Sequence, residues 1–246
     1  MKRKYLLLPF ALLLASCGPT ESTSVSDTNV PSSEILESSS SISSNSESVV
    51  DSSAVNTELG ILLNSANPTT IRDSITIIKD GTIYLSVFKR IEYDATNGIY
   101  YTYYQENGLS DLENASSTYN YEETIYYDGY DSYTLDSDEM YVKKEETKEI
   151  VSLEIEFDFN LVEQLTFKKE GFRNVLEGVV SSANANQFLS LENKQISDIE
   201  FKSYSNGEVL QSLEFNYTQN GFKVMRTVDY TYVDLILELP KNIKKF

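Results

Sequence analysis

No histidine and no tryptophan occur among the 246 residues, and there is a single cysteine, Cys17. Without imidazole and with one thiol, Ser-His-Asp and Cys-His nucleophile systems, His/Cys zinc sites and intrachain disulfides are all excluded. A folded domain here depends on its own apolar core, for which 40% hydrophobic residues are enough. The ten glycines never stand two apart, so no G-x-G-x-x-G or phosphate-cradling loop exists, and no cofactor is expected. Basic residues are few, 20 against 38 acids for a net charge of −18. A surface of that sign repels phosphate backbones and anionic lipid heads, so nucleic acid is not an expected partner.

What is present begins with an export leader. Lys2, Arg3 and Lys4 precede an apolar run from Tyr5 to Leu14, broken only by Pro9. Such a run falls well short of the ~20 residues that span a bilayer, so residues 1–16 read as a segment that is cut away. Leu14-Ala15-Ser16-Cys17 resembles the lipobox of bacterial lipoproteins. That resemblance implies a diacylglycerol on the Cys17 thiol, cleavage before Cys17, and an acylated (for example palmitoylated) new amino terminus. The expected location is the outer face of a bacterial cell membrane, held through the lipid, because two or three acyl chains bind firmly where one binds marginally.

Residues 17–56 read as a disordered tether. Fifteen of the thirty-nine residues from Gly18 to Asn56 are serine, six are acidic and none is basic or aromatic. Too few apolar groups exist there to offset the entropy of ordering. Residues 57–246 then read as one antiparallel β-rich domain. Leu59, Leu62, Leu63 and Ala66 fall on one face of a short helix, with Asn56 or Thr57 as cap and Pro68 as stop. Beyond Thr70, six Asx-Gly pairs predict hairpin turns at Asp80-Gly81, Asn97-Gly98, Asn107-Gly108, Asp128-Gly129, Asn206-Gly207 and Asn220-Gly221. Alternation predicts strands over Val151 to Asn160, Leu213 to Tyr217 and Phe222 to Tyr232. Phe172 to Ser181 reads as a strand and Ala183 to Leu191 as a short helix.

Chemistry-bearing motifs are scarce. Ser86-Val87-Phe88-Lys89 has the Ser-x-x-Lys spacing of penicillin-recognising enzymes but lies in a strand pattern without their companion motifs. Asp128 to Glu139 is rich in acids without the spacing of a calcium loop, so no metal is assigned. No acid–base constellation singles out a catalytic residue, and an enzyme is not expected. Thirteen of eighteen tyrosines lie between Tyr84 and Tyr141. Neighbouring tyrosines on a strand point to opposite faces, so about half must look toward solvent or a cleft.

From Thr57 to Phe246 the order resembles the LolA/LppX family of lipoprotein half-barrels: an opening helix, antiparallel hairpins, a short helix near Ala183, then three closing strands. The residues that carry it are Glu177-Gly178-Val179-Val180, Ile199 to Ser203, Leu213 to Tyr217 and the ending Ile236-Leu237-Glu238-Leu239-Pro240. The tyrosine-rich middle departs from the family in length and polarity. The resemblance implies a mainly β fold, a curved antiparallel sheet or half-barrel with one or two short helices, around an apolar cavity that carries acyl chains. In that case Phe157, Phe159, Phe215, Val228 and Tyr230 line the cavity. The functional expectation is a non-catalytic carrier or binder of an apolar ligand. The alternative is a surface module that takes a polysaccharide or protein through exposed tyrosines such as Tyr101, Tyr103 and Tyr126.

Cys17→Ser should leave the leader uncleaved by the lipoprotein route and remove the acyl label from the chain. Metabolic labelling with palmitate, followed by detergent extraction of membranes, checks this; undiminished label in the variant would sink the lipobox reading.

Overall fold

The computed structural model describes residues 52–64, 67–109, 118–136, 138–144 and 157–244. The leader, Cys17, the tether up to Asp51, and Val151 to Glu156 of the expected strand lie outside them. The described order is α1 (Ser52–Asn64), β1 (Thr70–Lys79), β2 (Thr82–Asp94), β3 (Ile99–Leu109), β4 (Thr118–Tyr127), β5 (Ser132–Leu135) and β6 (Tyr141–Lys144). A 3-10 turn (Phe159–Leu161), β7 (Glu163–Glu170), β8 (Arg173–Val180), α2 (Ser182–Phe188), β9 (Ile199–Ser205), β10 (Leu210–Gln219) and β11 (Phe222–Thr231) complete it. The strands form one open antiparallel sheet in the order β6-β5-β4-β3-β2-β1-β11-β10-β9-β8-β7. The mainly β class with two short helices is as expected, and the three closing strands are β9, β10 and β11.

Hairpin turns set this register. Asp80-Gly81 and Asn220-Gly221 are two-residue loops with both central φ angles positive, 50° and 79° in one and 48° and 83° in the other. That is the turn whose twist matches paired strands, and Asx-Gly adopts it at little cost. Asn97-Gly98, Asp128-Gly129 and Asn206-Gly207 also lie in turns between strands. Asn107-Gly108 does not: it sits inside β3 opposite Asn120 and Tyr119. The glycine serves close approach there, since a Cβ on Gly108 would meet the Tyr119 ring at 2.8 Å.

One other expectation is corrected. The strand drawn through Phe157 to Asn160 is an irregular residue pair followed by the 3-10 turn, in which the Asp158 carboxylate accepts the Asn160 backbone N–H at 3.2 Å. A side chain that binds its own backbone in this way competes with strand pairing. The ending Ile236 to Pro240 forms no strand; it is pinned by the Leu237 N–H donating to Asp94 Oδ2 at 2.9 Å.

One sheet face, here the core face, carries Ile71, Ile77, Leu85, Ile91, Leu176, Val180, Ile199, Phe201, Leu213, Phe215, Val224 and Val228, all buried. Over β7, β8 and β9 this face is covered by α1, and α2 packs on β8 and the 3-10 turn. The helix α1 starts at Ser52, ahead of the expected caps, and so takes in residues that composition alone places in the tether. Thr57 is inside the helix with its hydroxyl donating to the Ser53 carbonyl at 3.0 Å. Its buried stripe is Val55, Glu58 and Leu62, whereas Leu63 is exposed. Glu58 is 5% exposed, and its two oxygens accept from Asn174 Nδ2 at 2.6 Å and Ser205 Oγ at 2.5 Å. A buried carboxylate of this kind is tolerable only because it is fully hydrogen-bonded.

Glu58→Ala should therefore destabilise the domain by about 2–4 kcal/mol, since it leaves the buried Ser205 hydroxyl and the half-buried Asn174 amide without their acceptor. Urea unfolding followed by circular dichroism measures it, and Glu58→Gln should cost less because an amide oxygen still accepts from Asn174.

Candidate functional site

The core face changes character along the sheet. On β8 to β11 it is a phenylalanine cluster: Phe157, Phe159, Phe188, Phe201 and Phe215 have ring centroids 4.7 to 6.2 Å apart. Of the residues expected to line a cavity, Phe159, Phe215, Val228 and Tyr230 are buried and Phe157 is half-buried. Three of them meet in the cluster, with Phe157 and Phe215 at 4.7 Å. Val228 and Tyr230 lie further along β11, paired with Asp73 and Ile71 of β1.

Next to the cluster a polar row crosses the sheet on the same face. Arg226 holds Asp73 with one edge of its guanidinium, Nε donating to Oδ1 at 2.9 Å and Nη2 to Oδ2 at 2.6 Å, and lies 4.9 Å from the Phe157 ring centroid. Burial alone would lower the Arg226 pKa; the charge and hydrogen bonds of Asp73 outweigh it and hold the group above its ordinary value. Burial pushes Tyr217 up to about 12 and raises Tyr230 as well. Lys89 pairs with Asp73 in the β1–β2 register, is half-buried, and faces Tyr104 across the β2–β3 pair. Beyond it, buried Glu106 accepts hydrogen bonds from the hydroxyls of Tyr104 and Tyr119, one on each oxygen. Burial and those bonds to Glu106 raise both phenols.

Around this row the core face of β1 to β4 is apolar and aromatic but only half-buried: Ile75, Val87, Tyr93, Tyr100, Ile125 and Tyr127. Tyr93 stacks on Tyr100 with centroids 4.3 Å apart, and Tyr127 lies 6.2 Å further on. The opposite face of the same strands carries a second aromatic row. Arg90 donates to the Tyr101 hydroxyl at 3.3 Å, Tyr101 meets Tyr126 at 4.9 Å, and Tyr126 meets Tyr141 at 5.3 Å. Phe88 and Tyr103 sit beside them at 6.1 Å. The tyrosine run thus splits between faces as alternation requires.

The acids of the Asp128 to Glu139 stretch have local work. Asp128 accepts from the N–H groups of Tyr130 and Asp131 and from the Tyr133 hydroxyl, and Asp136 from those of Asp138 and Met140. Ser86 and Lys89 lie three apart on β2, so they point to opposite faces and cannot act on one another. The polar row escaped the sequence reading, although a signal was present: Asp73, Lys89 and Arg226 each stand in the apolar phase of an alternating strand.

No protein-family model matches the chain, and no curated protein matches it. Among solved structures, LprF from Mycobacterium bovis aligns at 10% identity over 79% of this chain and 99% of that one, with a TM-score of 0.45. The dehydratase domain from the terminal module of the rifamycin polyketide synthase aligns at 11% identity over 72% of this chain and 80% of that one, with a TM-score of 0.22.

With no histidine and no thiol in the domain, stability should be level between about pH 6 and 9. Burial raises Tyr126, Tyr204 and Tyr217 to about 12 in the folded state. Their contribution is complete below the unfolded value of about 10 and is lost as pH rises toward 12. Backbone hydrogen bonds lower Asp94 and Asp136, and Lys202 with Lys168 lowers Glu177, so stability also falls below about pH 4. Thermal melts across pH 3 to 12 check both arms; a steep change near pH 7 would contradict this assignment.

Proposed function

We propose that the chain is a non-catalytic, extracytoplasmic lipoprotein, tied to the outer face of a cell membrane through Cys17. Its domain, from α1 at Ser52 onward, carries an apolar ligand of the acyl class on the core face of β1 to β4. The observation that supports this is the division of the core face: the described helices pack over β7 to β9, while beyond β11 the apolar and aromatic residues Ile75, Val87, Tyr100 and Ile125 are only half-buried. Apolar surface in this position is what a chain of methylenes covers. Lys89, in the middle of that face, is a cation within reach of an anionic ligand head. The phenylalanine cluster serves as the packed wall beside the ligand, with Phe157 at its margin and Phe215 behind it.

A second reading rests on the opposite face, where Tyr101, Tyr103 and Tyr126 lie together with Phe88 and Arg90. Aromatic rows of this kind stack on sugars and on protein partners.

Native mass spectrometry of residues 50–246 separates the two. Co-purified acyl lipid is expected, and Val87→Glu should lower its occupancy about tenfold by placing a charge against methylenes. An empty domain that binds cell-wall glycan, and loses that binding in Tyr101→Ala with Tyr126→Ala, would overturn the carrier in favour of the surface module.

A further inference from the structure

Four large apolar or aromatic side chains are more exposed than any others described: Phe172 at 99%, Tyr130 at 86%, Ile236 at 83% and Val233 at 69%. The strand registers put all four at one end of the sheet. Phe172 is in the β7–β8 turn, whose end is marked by Asn174 opposite Ser205, the last residue of β9. Ser205 opposes Leu210 at the start of β10, and Ser212 opposes Asp229 near the end of β11. Val233 and Ile236 follow directly after β11. Thr231 opposes Thr70, Thr70 opposes Glu92, and Leu237 is bonded to Asp94 at the end of β2. Tyr100 opposes Tyr127, the last residue of β4, so the β4–β5 turn that holds Tyr130 belongs to the same rim.

Chance distribution of exposed apolar residues along an open sheet would scatter them over both ends and both faces. Among the described residues, the opposite rim has one large apolar residue more than half exposed, Ile83, at 56%. The chain also enters the domain beside the populated rim. Glu58 of α1 binds Asn174 and Ser205, which bound the rim turns, and Ser52 is six residues, about 9 Å of helix, before it. From Ser52 the chain leads back to Cys17.

We propose that this rim is a membrane-contact edge, at which Phe172, Tyr130, Val233 and Ile236 enter the boundary between lipid headgroups and acyl chains. The proposal deepens the anchored-lipoprotein reading and rests on its membrane, but not on the acyl ligand. The occupant is a zwitterionic bilayer surface rather than an anionic one. The rim carries Asp128, Asp131, Glu170, Glu208, Asp234 and Glu238 beside Lys143, Lys169, Arg173 and Lys241, with Asp131 paired to Lys143 and Glu238 to Lys241, and the chain as a whole is strongly acidic. A few interfacial side chains bind weakly on their own. Tied to the same surface by a tether, they act at a high effective concentration, which makes a weak contact persistent.

The sequence makes the test clean, because it has one thiol and no indole. The chain from Cys17 to Phe246, carrying Phe172→Trp, is coupled through Cys17 to phosphatidylcholine vesicles containing a maleimide lipid. Coupling this way needs no natural acylation, so failure of the lipobox reading, seen in the Cys17→Ser labelling, is distinguishable from failure of the rim. Trp at 172 is expected to lose about half its emission in vesicles of brominated phosphatidylcholine, since interfacial groups lie ~5–10 Å deep. Trp in place of Ile83 should be unaffected. Combining Phe172→Trp with Tyr130→Ser, Val233→Ser and Ile236→Ser should reduce the quenching at least twofold. Equal emission with and without bromine at residue 172, or equal quenching at 172 and 83, would overturn the proposal.

Discussion

One strand pairing holds this molecule together. β2 to β6 descend from β1 as one meander and β7 to β10 lead to β11 as another, and among the described strands only the pairing of β1 with β11 joins them into a single sheet. Nine registered residue pairs, from Thr70 with Thr231 to Ile78 with Lys223, form that seam. The ion pair of Asp73 with Arg226 crosses it on the core face, surrounded by Val228, Tyr217 and Phe157. A bidentate charge pair between two strands has a single geometry, and a slip by one residue would send Arg226 to the other face, away from its partner. The seam is thus fixed by chemistry as well as by apolar pattern.

On either side of the seam the two meanders solve burial differently. The second half has helices and phenylalanine, with Phe188, Phe201 and Phe215 fully enclosed. The first half has tyrosine, which presents an apolar ring and a polar tip, and so suits a surface that is half-buried. The buried polar groups follow this division. Glu58 is enclosed and answered by Asn174 and Ser205 in the apolar half; Glu106 is answered by two tyrosines in the aromatic half. In both places the acid is tolerable because each oxygen has its own donor.

Much of the fold was legible because the turns announced themselves. Five of the six Asx-Gly pairs do mark turns, and the alternation of Leu213, Phe215 and Tyr217 or of Val224, Arg226 and Val228 defined the strands of the core. Asn107-Gly108 misled because a glycine beneath an aromatic ring looks the same in sequence as a glycine in a turn. Phe157 and Phe159 misled because two apolar residues two apart can also converge on one cluster from an irregular segment. The aromatic row and the polar row could not be read as sites at all. Their members come from up to five strands, and only the register shows that Asp73, Lys89 and Arg226 share a face. The tether, leader and Cys17 rest on the sequence reading alone.

The seam also sets a clock. A chain made from its amino end completes β1 at Lys79, 152 residues before Thr231 is added. At ~5–20 residues per second that is about 10–30 s during which β1 has a neighbour on one side only. Its free edge over that time is a row of unpaired amides, the template on which strands of another chain can add. The exposed side chains along β1, Arg72 and Ser74 among them, are poor partners for such addition, and Asp73 is worse, since its carboxylate has no guanidinium until β11 arrives. The same aspartate that locks the finished sheet guards the unfinished one.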